Sequence, residues 1–201
     1  MARERKDSAQ TKMRLMDAAE KLFTTRGIDN VTMADVGRAA QQKNRNALQY
    51  HFQNKAGLIN AVLDRHTESI TARRQEMLQQ LAPEPSLRSV VHILVTPVIE
   101  KLADREKGEA FIAINAQLMV SQGLASIRLA RTQRIPEAKK IQELLLNFFG
   151  DVSHDEIVVK QSLIDAMLFC GLASYLTRNN DTDLNRFANI LIDSICHTIN
   201  N

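Results

Sequence analysis

The chain of 201 residues has no tryptophan, and aromatic residues make up only 4% of it. Seven glycines and four prolines leave little material for tight hairpins, and Val/Ile/Thr runs with period-two alternation are missing. These shortages argue against a sheet. Ala, Leu, Gln, Glu, Lys and Arg predominate, all of them good helix formers, and the expected fold class is all-α. Only two cysteines occur, Cys170 and Cys196, with no CxxC pair. They read as small buried side chains in a reducing compartment, not as a disulfide or a metal site. The opening MARERKDSAQ lacks the apolar core of a secretory signal, and no run of 18 uncharged apolar residues is present. A cytoplasmic protein without membrane contact is expected.

Catalytic signatures are also missing. His51, His66, His92, His154 and His197 show no HExxH or other metal spacing, and there is no Gly-rich phosphate loop or nucleophile elbow. Neither an enzyme nor a cofactor or metal is expected.

What the chain does have is an uneven charge. Residues 1–55 hold 11 of the 26 Lys and Arg but 6 of the 23 Asp and Glu, so a basic first quarter precedes a slightly acidic remainder. Such a head suits a polyanion, although a chance excess on a solvated surface fits the charge alone.

The apolar pattern gives the head its helices. After a basic arm (Ala2 to Lys6), a first helix is predicted from Asp7 or Ser8, with Leu15, Ala18, Ala19, Leu22 and Phe23 on one stripe and Gly27 as its stop. Thr32 and Asp35 form a capping-box pair opening a short helix over 33–40, with Val36, Ala39 and Ala40 inward. Asn44 is placed to cap a third helix over 45–52, anchored by Leu48 and Phe52, and Asn54 a long fourth helix reaching about residue 81. Further helices are expected at 86–103, 107–122, 124–132, 137–149, 154–178 and 182–199. Pro97 is expected to kink the first of these, Ser153 to Glu156 to form a capping box, and Asn180 or Asp181 to cap the last.

Two short helices joined by a turn, the second exposing donors, match what the DNA major groove admits. Arg pairs with guanine, and Asn or Gln with adenine, so Arg45, Asn46 and Gln49 are the candidate base readers. Thr32, Lys43, Asn44, Tyr50, His51 and Lys55 are the candidate phosphate contacts. The bland alternative is a bundle whose helix 45–51 is merely solvated.

The stretch MDAAEKLFTTRGIDNVTMADVGRAA, followed by ALQYHFQNKAGLINAV, resembles the head of the tetracycline-repressor (TetR) family. The landmarks are Ala18-Ala19, Leu22-Phe23, Gly27, Thr32, Val36, Ala39-Ala40, Tyr50-His51-Phe52, Lys55 and Leu58. The likeness covers about a third of the chain and departs in three places. The stretch 41–48 is one residue longer than the commonest family turn, as in one subgroup. Gln49 stands where many members place a phosphate-contacting Tyr, and Gln53 replaces the usual Gly.

The resemblance implies a DNA-binding head over 1–53 and a helical regulatory and dimerisation domain over 54–201, dimerising through its last two helices around a small-molecule pocket. Candidate interface residues are Leu163, Met167, Cys170, Ser174, Ile190, Leu191, Ser194 and Ile195, on helices apolar on more than one face. Candidate pocket residues are Phe111, Asn115, Leu118, Met119, Met167 and Tyr175, a lining suited to a largely apolar effector. Ordinary core packing is the alternative for both sets, and it accounts for the pocket set at least as simply. The expected function is a homodimeric repressor that leaves a palindromic operator in double-stranded DNA when the effector binds. The alternative is a DNA-binding dimer without effector that recruits a protein partner.

Overall fold

A computed structural model describes residues 2–44, 46–178 and 183–201, with the side chains of 2–6, 129, 132 and 133 set aside. Every regular element among the described residues is helical. The chain divides into two compact units, residues 1–66 and 67–201.

The first unit holds α1 (Ala2–Arg26), α2 (Met33–Ala39), α3 (Ala47–Phe52) and the first three turns of α4 (Lys55–Gln79). The backbone of the expected basic arm is already helical, so α1 begins earlier than the stripe requires. Leu15, Met16, Ala19, Leu22 and Phe23 of α1 are buried together with Ile28, Val31, Val36, Leu48 and Phe52. Each large side chain removed from water contributes roughly 1.5–3 kcal/mol. Gly27 ends α1 at φ 82°, a left-handed conformation open to glycine, and its N–H reaches Phe23 O at 3.2 Å. In α2 only Val36 is buried; Ala39 is exposed and Ala40 half-buried, because the helix is too short to turn a second residue inward.

The helices of the head are tied by polar contacts as well. Glu20 of α1 receives two hydrogen bonds from the Arg65 guanidinium and lies 2.6 Å from Nε2 of the buried His66, while Arg65 Nη1 also reaches Asp17 at 2.6 Å. Leu58, Ile59, Val62 and Leu63 are fully buried. For these reasons the unit boundary falls after His66 and not at Gln53: the start of α4 completes the core of the head.

The second unit comprises the rest of α4, then α5 (Leu87–Glu100), α6 (Arg105–Val120), α7 (Ala125–Arg134), α8 (Pro136–Leu146), α9 (His154–Thr177) and α10 (Leu184–Asn200). Short 3₁₀ turns at Lys101–Ala103 and Gln122–Leu124 separate α5 from α6 and α6 from α7. α5 passes through Pro97 as one helix. Proline removes the donor for the carbonyl of Ile93 and crowds that turn; one residue on, Leu94 O accepts a hydrogen bond from Arg74 Nη2 at 3.0 Å. Ser153 Oγ caps α9 by accepting from Glu156 N at 3.2 Å. Glu156 does not complete the box but reaches Lys160, 3.5 Å away. Asn180 and Asp181 lie outside the described residues; α10 is capped by Asp183, whose carboxylate accepts from the N–H groups of Asn185 and Arg186. Both cysteines are free and half-buried, less enclosed than expected.

Candidate nucleic-acid interface and internal cavity

The loop before α3 is built from side chains folding back on the backbone. Asn44 N–H donates to Gln42 Oε1 at 2.9 Å, and Asn44 Oδ1 accepts from Asn46 N–H at 3.0 Å. Asn44 does not cap α3 as expected: its Oδ1 takes the N–H of Asn46, which holds the N-cap position without a side-chain cap bond, and the helix starts two residues later than predicted, at Ala47. Ala47, Leu48 and Phe52 point inward. Asn46, Gln49 and Tyr50, at i, i+3 and i+4, are exposed on the opposite face, Tyr50 at 79%. Lys43 and Asn44 are exposed beside them, while His51 and Lys55 are half-buried. Arg45 lies outside the described residues.

Burial, with the nearby charge of Lys12, lowers the pKa of His51, so near neutral pH it offers a neutral ring N–H and not a cation. Its ring lies 5.0 Å from that of Tyr50, edge-on, and 6.0 Å from that of Phe52. Thr32 is committed to its cap: Oγ1 accepts from Asp35 N–H at 3.1 Å and donates to Asp35 Oδ2 at 2.5 Å, while Thr32 N–H donates to the same carboxylate at 2.9 Å. With its hydroxyl hydrogen on Asp35, Thr32 has backbone position, not a free hydroxyl donor, to offer a phosphate.

α3 ends in an uncommon way. Gln53 has φ 64° and ψ −52°, and Asn54 N–H donates to Phe52 O at 2.7 Å, a γ-turn in a left-handed region. Asn54 Oδ1 then caps α4 by accepting from Gly57 N–H at 2.9 Å.

The second unit holds a partly open cavity of about 150 Å3. Phe111, Asn115, Leu118 and Met119 line it, four of the six residues expected to do so. Met167 and Tyr175 do not. The cavity side of α9 is given by Gln161, Ile164, Asp165, Leu168 and Phe169. Met167 falls two residues past Asp165, around the helix, where Thr198 Oγ1 of α10 contacts its sulfur at 3.9 Å. Tyr175 shares the register of Leu168 but sits about 10 Å further along the helix, with its ring 4.6 Å from that of Phe187.

Pattern reading missed the charged part of this lining. Arg74, Arg128, Arg131 and Asp165 all face the cavity. Arg74 and Arg131 are buried, and Asp165 is half-buried, with Arg128 Nη1 3.5 Å from it. Arg131 donates to Thr67 Oγ1 at 3.2 Å. Arg74 Nε has no hydrogen-bond partner among the described residues. Burial pushes the pKa of Arg74 down to about 10, against the favourable fields of Asp165 and Glu137, leaving it protonated at neutral pH. Asp165 is raised by burial, against the pull of Arg128 and Arg74. Thr67, Ile70 and Arg74 stand at i, i+3 and i+7, so a charged residue on an otherwise apolar stripe was the available signal. No cluster of His, Cys, Asp and Glu suited to a metal ion occurs among the described residues.

On α9, Leu163 and Ser174 are exposed and Met167 and Cys170 half-buried; on α10, Ile190 and Ser194 are exposed. Leu191 and Ile195 are instead buried inside the chain's own core, so they are closed to a partner. Val158 and Val159, not anticipated, are exposed on α9.

Residues 15–62 match the family model described as bacterial regulatory proteins, tetR family. Two curated proteins of Pseudomonas putida are similar over 94 residues: the "Probable HTH-type transcriptional regulator ArpR" at 36% identity and the HTH-type transcriptional regulator TtgR at 35%. Each alignment spans 45% of this chain and 44% of the relative. Among solved structures, NalD, the secondary repressor of the MexAB-OprM multidrug efflux pump in Pseudomonas aeruginosa, superposes with a TM-score of 0.62 at 22% identity, covering 96% of this chain and 97% of its own. That likeness shows the same fold. The match to the tetR family of bacterial regulatory proteins thus lies in the head, and the chain spans less than half the length of the curated relatives it matches.

Proposed function

We propose that the protein is a DNA-binding transcriptional regulator, a homodimeric repressor that leaves a palindromic operator when a small molecule occupies its cavity. The observation that carries the DNA-binding part is the exposed row Asn46, Gln49 and Tyr50 on a helix whose other face is locked into the core by Leu48 and Phe52. Asn46 and Gln49 read base edges; Lys43, Asn44, Tyr50, His51, Lys55 and the start of α2 hold phosphates. Arg45, which precedes Asn46 in the sequence, is assigned to the bases on its chemistry alone.

Dimerisation rests on α9. Its most apolar 18-residue window has a mean hydropathy of 1.5, yet 22% of that window is buried within the chain. By length and composition it is apolar enough to cross a membrane, but Lys160 and Asp165 interrupt it, and Asp165 faces the arginines of the cavity. A second copy of the chain accounts better for the surplus. Val159 and Leu163 of α9 with Ile190 and Ser194 of α10, flanked by Met167, Cys170 and Ser174, supply the contact.

Sensing rests on the cavity. α4 contributes Thr67, Ile70 and Arg74 to its wall and Leu58 to Leu63 to the core of the head, so a ligand with unequal affinity for two positions of α4 shifts the spacing of paired heads. A cavity that sets several polar groups among apolar walls favours this over a platform that only recruits a protein partner. Footprinting of the purified protein on its own upstream DNA tests the reading. A two-fold symmetric protected site is expected, with protection lost in the Asn46→Ala, Gln49→Ala double variant; unchanged protection overturns the assignment.

A further inference from the structure

The walls of the cavity combine an apolar majority with an excess of positive charge. Ile70, Leu94, Val98, Phe111, Leu118 and Ile141 give it hydrocarbon surface. Three arginines face it against one carboxylate, Asp165. Glu137, behind the lining, is a second carboxylate; it accepts from Gln75 Nε2 at 2.5 Å, and its Oε2 has no partner among the described residues. Counting both acids, the buried cluster retains one positive charge.

Within that cluster Arg74 is the group least provided for. Its Nη2 donates to Leu94 O, and its buried Nε has no acceptor among the described residues. A buried guanidinium with idle donors is costly, because desolvation is repaid only by close acceptors. An anion entering beside Arg74 would supply them, and a planar carboxylate matches the guanidinium fork with two parallel hydrogen bonds. The volume sets the size. A cavity of about 150 Å3 holds a benzene-sized molecule, so the body accompanying the charge is a single ring or a short alkyl chain.

We infer that the effector is a small organic monoanion, a carboxylate on an aryl or short aliphatic body, received by Arg74 with Arg128 and Arg131 beside it. This rests on the reading of the cavity as an effector site and replaces the largely apolar ligand expected from the sequence. Asn115, whose Nδ2 is held by Phe111 O at 2.8 Å, presents its remaining polar edge to the same space.

The test compares acids with their neutral isosteres on the full-length protein: benzoate against benzamide and hexanoate against hexanamide, by calorimetry and by release from operator DNA at fixed ionic strength. At least one acid is expected to bind tenfold or more tightly than its amide and to release DNA. Arg74→Met is expected to remove that preference. Arg128→Gln serves as a second variant should loss of the Leu94 contact unfold the first. Equal binding of acid and amide, with release of DNA, sinks the anion assignment while leaving ligand sensing intact. Failure of both acids to bind also overturns it; if neutral compounds of the same size fail as well while operator binding persists, the sensing reading falls with it.

Discussion

The carbonyl oxygen of Phe52 lies 2.0 Å from the point where a β-carbon on Gly57 would stand. No side chain fits there, so the first turn of α4 can meet the end of α3 only through a glycine. Gly57→Ala must turn the peptide between Phe52 and Gln53 or push the helices apart, and overpacking of this kind costs about 1–3 kcal/mol. Thermal unfolding and operator affinity should both fall. An alanine variant as stable as the parent would show that the junction rearranges freely.

Gln53, between those two residues in the chain, holds a left-handed φ of 64°. Glycine adopts that conformation without a β-carbon clash. Gln53→Gly is expected to stabilise the head by about 1 kcal/mol, a rise of roughly 2–4 °C in Tm for a chain of this size. Combined with Gly57→Ala the two effects should not add, because both act on the same peptide plane.

Acid should loosen the start of α2. The hydroxyl and then the N–H of Thr32 donate to Asp35 and hold its pKa down to about 2. A carboxyl depressed on folding stabilises fully above its unfolded value, near 4, and loses that stabilisation as the pH falls through about 2. The stability difference between the parent and Asp35→Asn should therefore be constant above about pH 5 and shrink toward pH 2. A difference independent of pH would remove the carboxylate from this role.

The Glu20 cluster makes a second acid-sensitive tie. Burial raises the pKa of Glu20, but hydrogen bonds from His66 and Arg65 outweigh it and leave the group below its ordinary value. Glu20→Gln strips a charge from between His66 and Arg65 and should cost about 2 kcal/mol, judged from losses of charged hydrogen bonds. Chemical denaturation followed by helix content measures it, and a change below a few tenths would contradict the assigned role.

Base and phosphate contacts separate by salt. Gln49→Ala is expected to cost about 1–3 kcal/mol on the operator and little on random DNA, whereas Lys43→Ala should weaken both and reduce the salt slope by about one. Affinities measured across a salt series on both DNAs decide between the roles. If Gln49 weakens both equally, it contacts a phosphate, as its position in the family pattern would have it.

The all-helical fold and the head were legible because their signals are local. The spacing of Leu15, Ala19, Leu22 and Phe23, the Thr32–Asp35 box and the Asn54 cap each depend on a few adjacent residues, and all three appear in the structure. The start of α3 comes later than Asn44 suggests, because its side chain binds the N–H of Asn46 in a turn of its own and the helix begins only at Ala47. Leu191 and Ile195 were assigned outward because apolar periodicity marks a burying face without saying whether the chain itself or a partner covers it. Arg74 shares the stripe of Thr67 and Ile70, but spacing alone does not say that a charge on it is buried; that follows from its bond to Leu94 of α5 and its place in the cavity wall with Asp165 of α9.

Because Leu58 through His66 furnish core and polar ties to α1, the DNA-binding half cannot be excised at the end of its recognition helix. A fragment ending at Gln53 would lose the buried side chains of Leu58, Ile59, Val62 and Leu63 and the Arg65 and His66 partners of Glu20, while one carried through α4 past His66 keeps them. The same limit governs chimaeras: transplanting this head onto a foreign body requires the splice within α4 beyond His66, in phase with the helical turn, so that the head travels with the stretch of helix that completes its core.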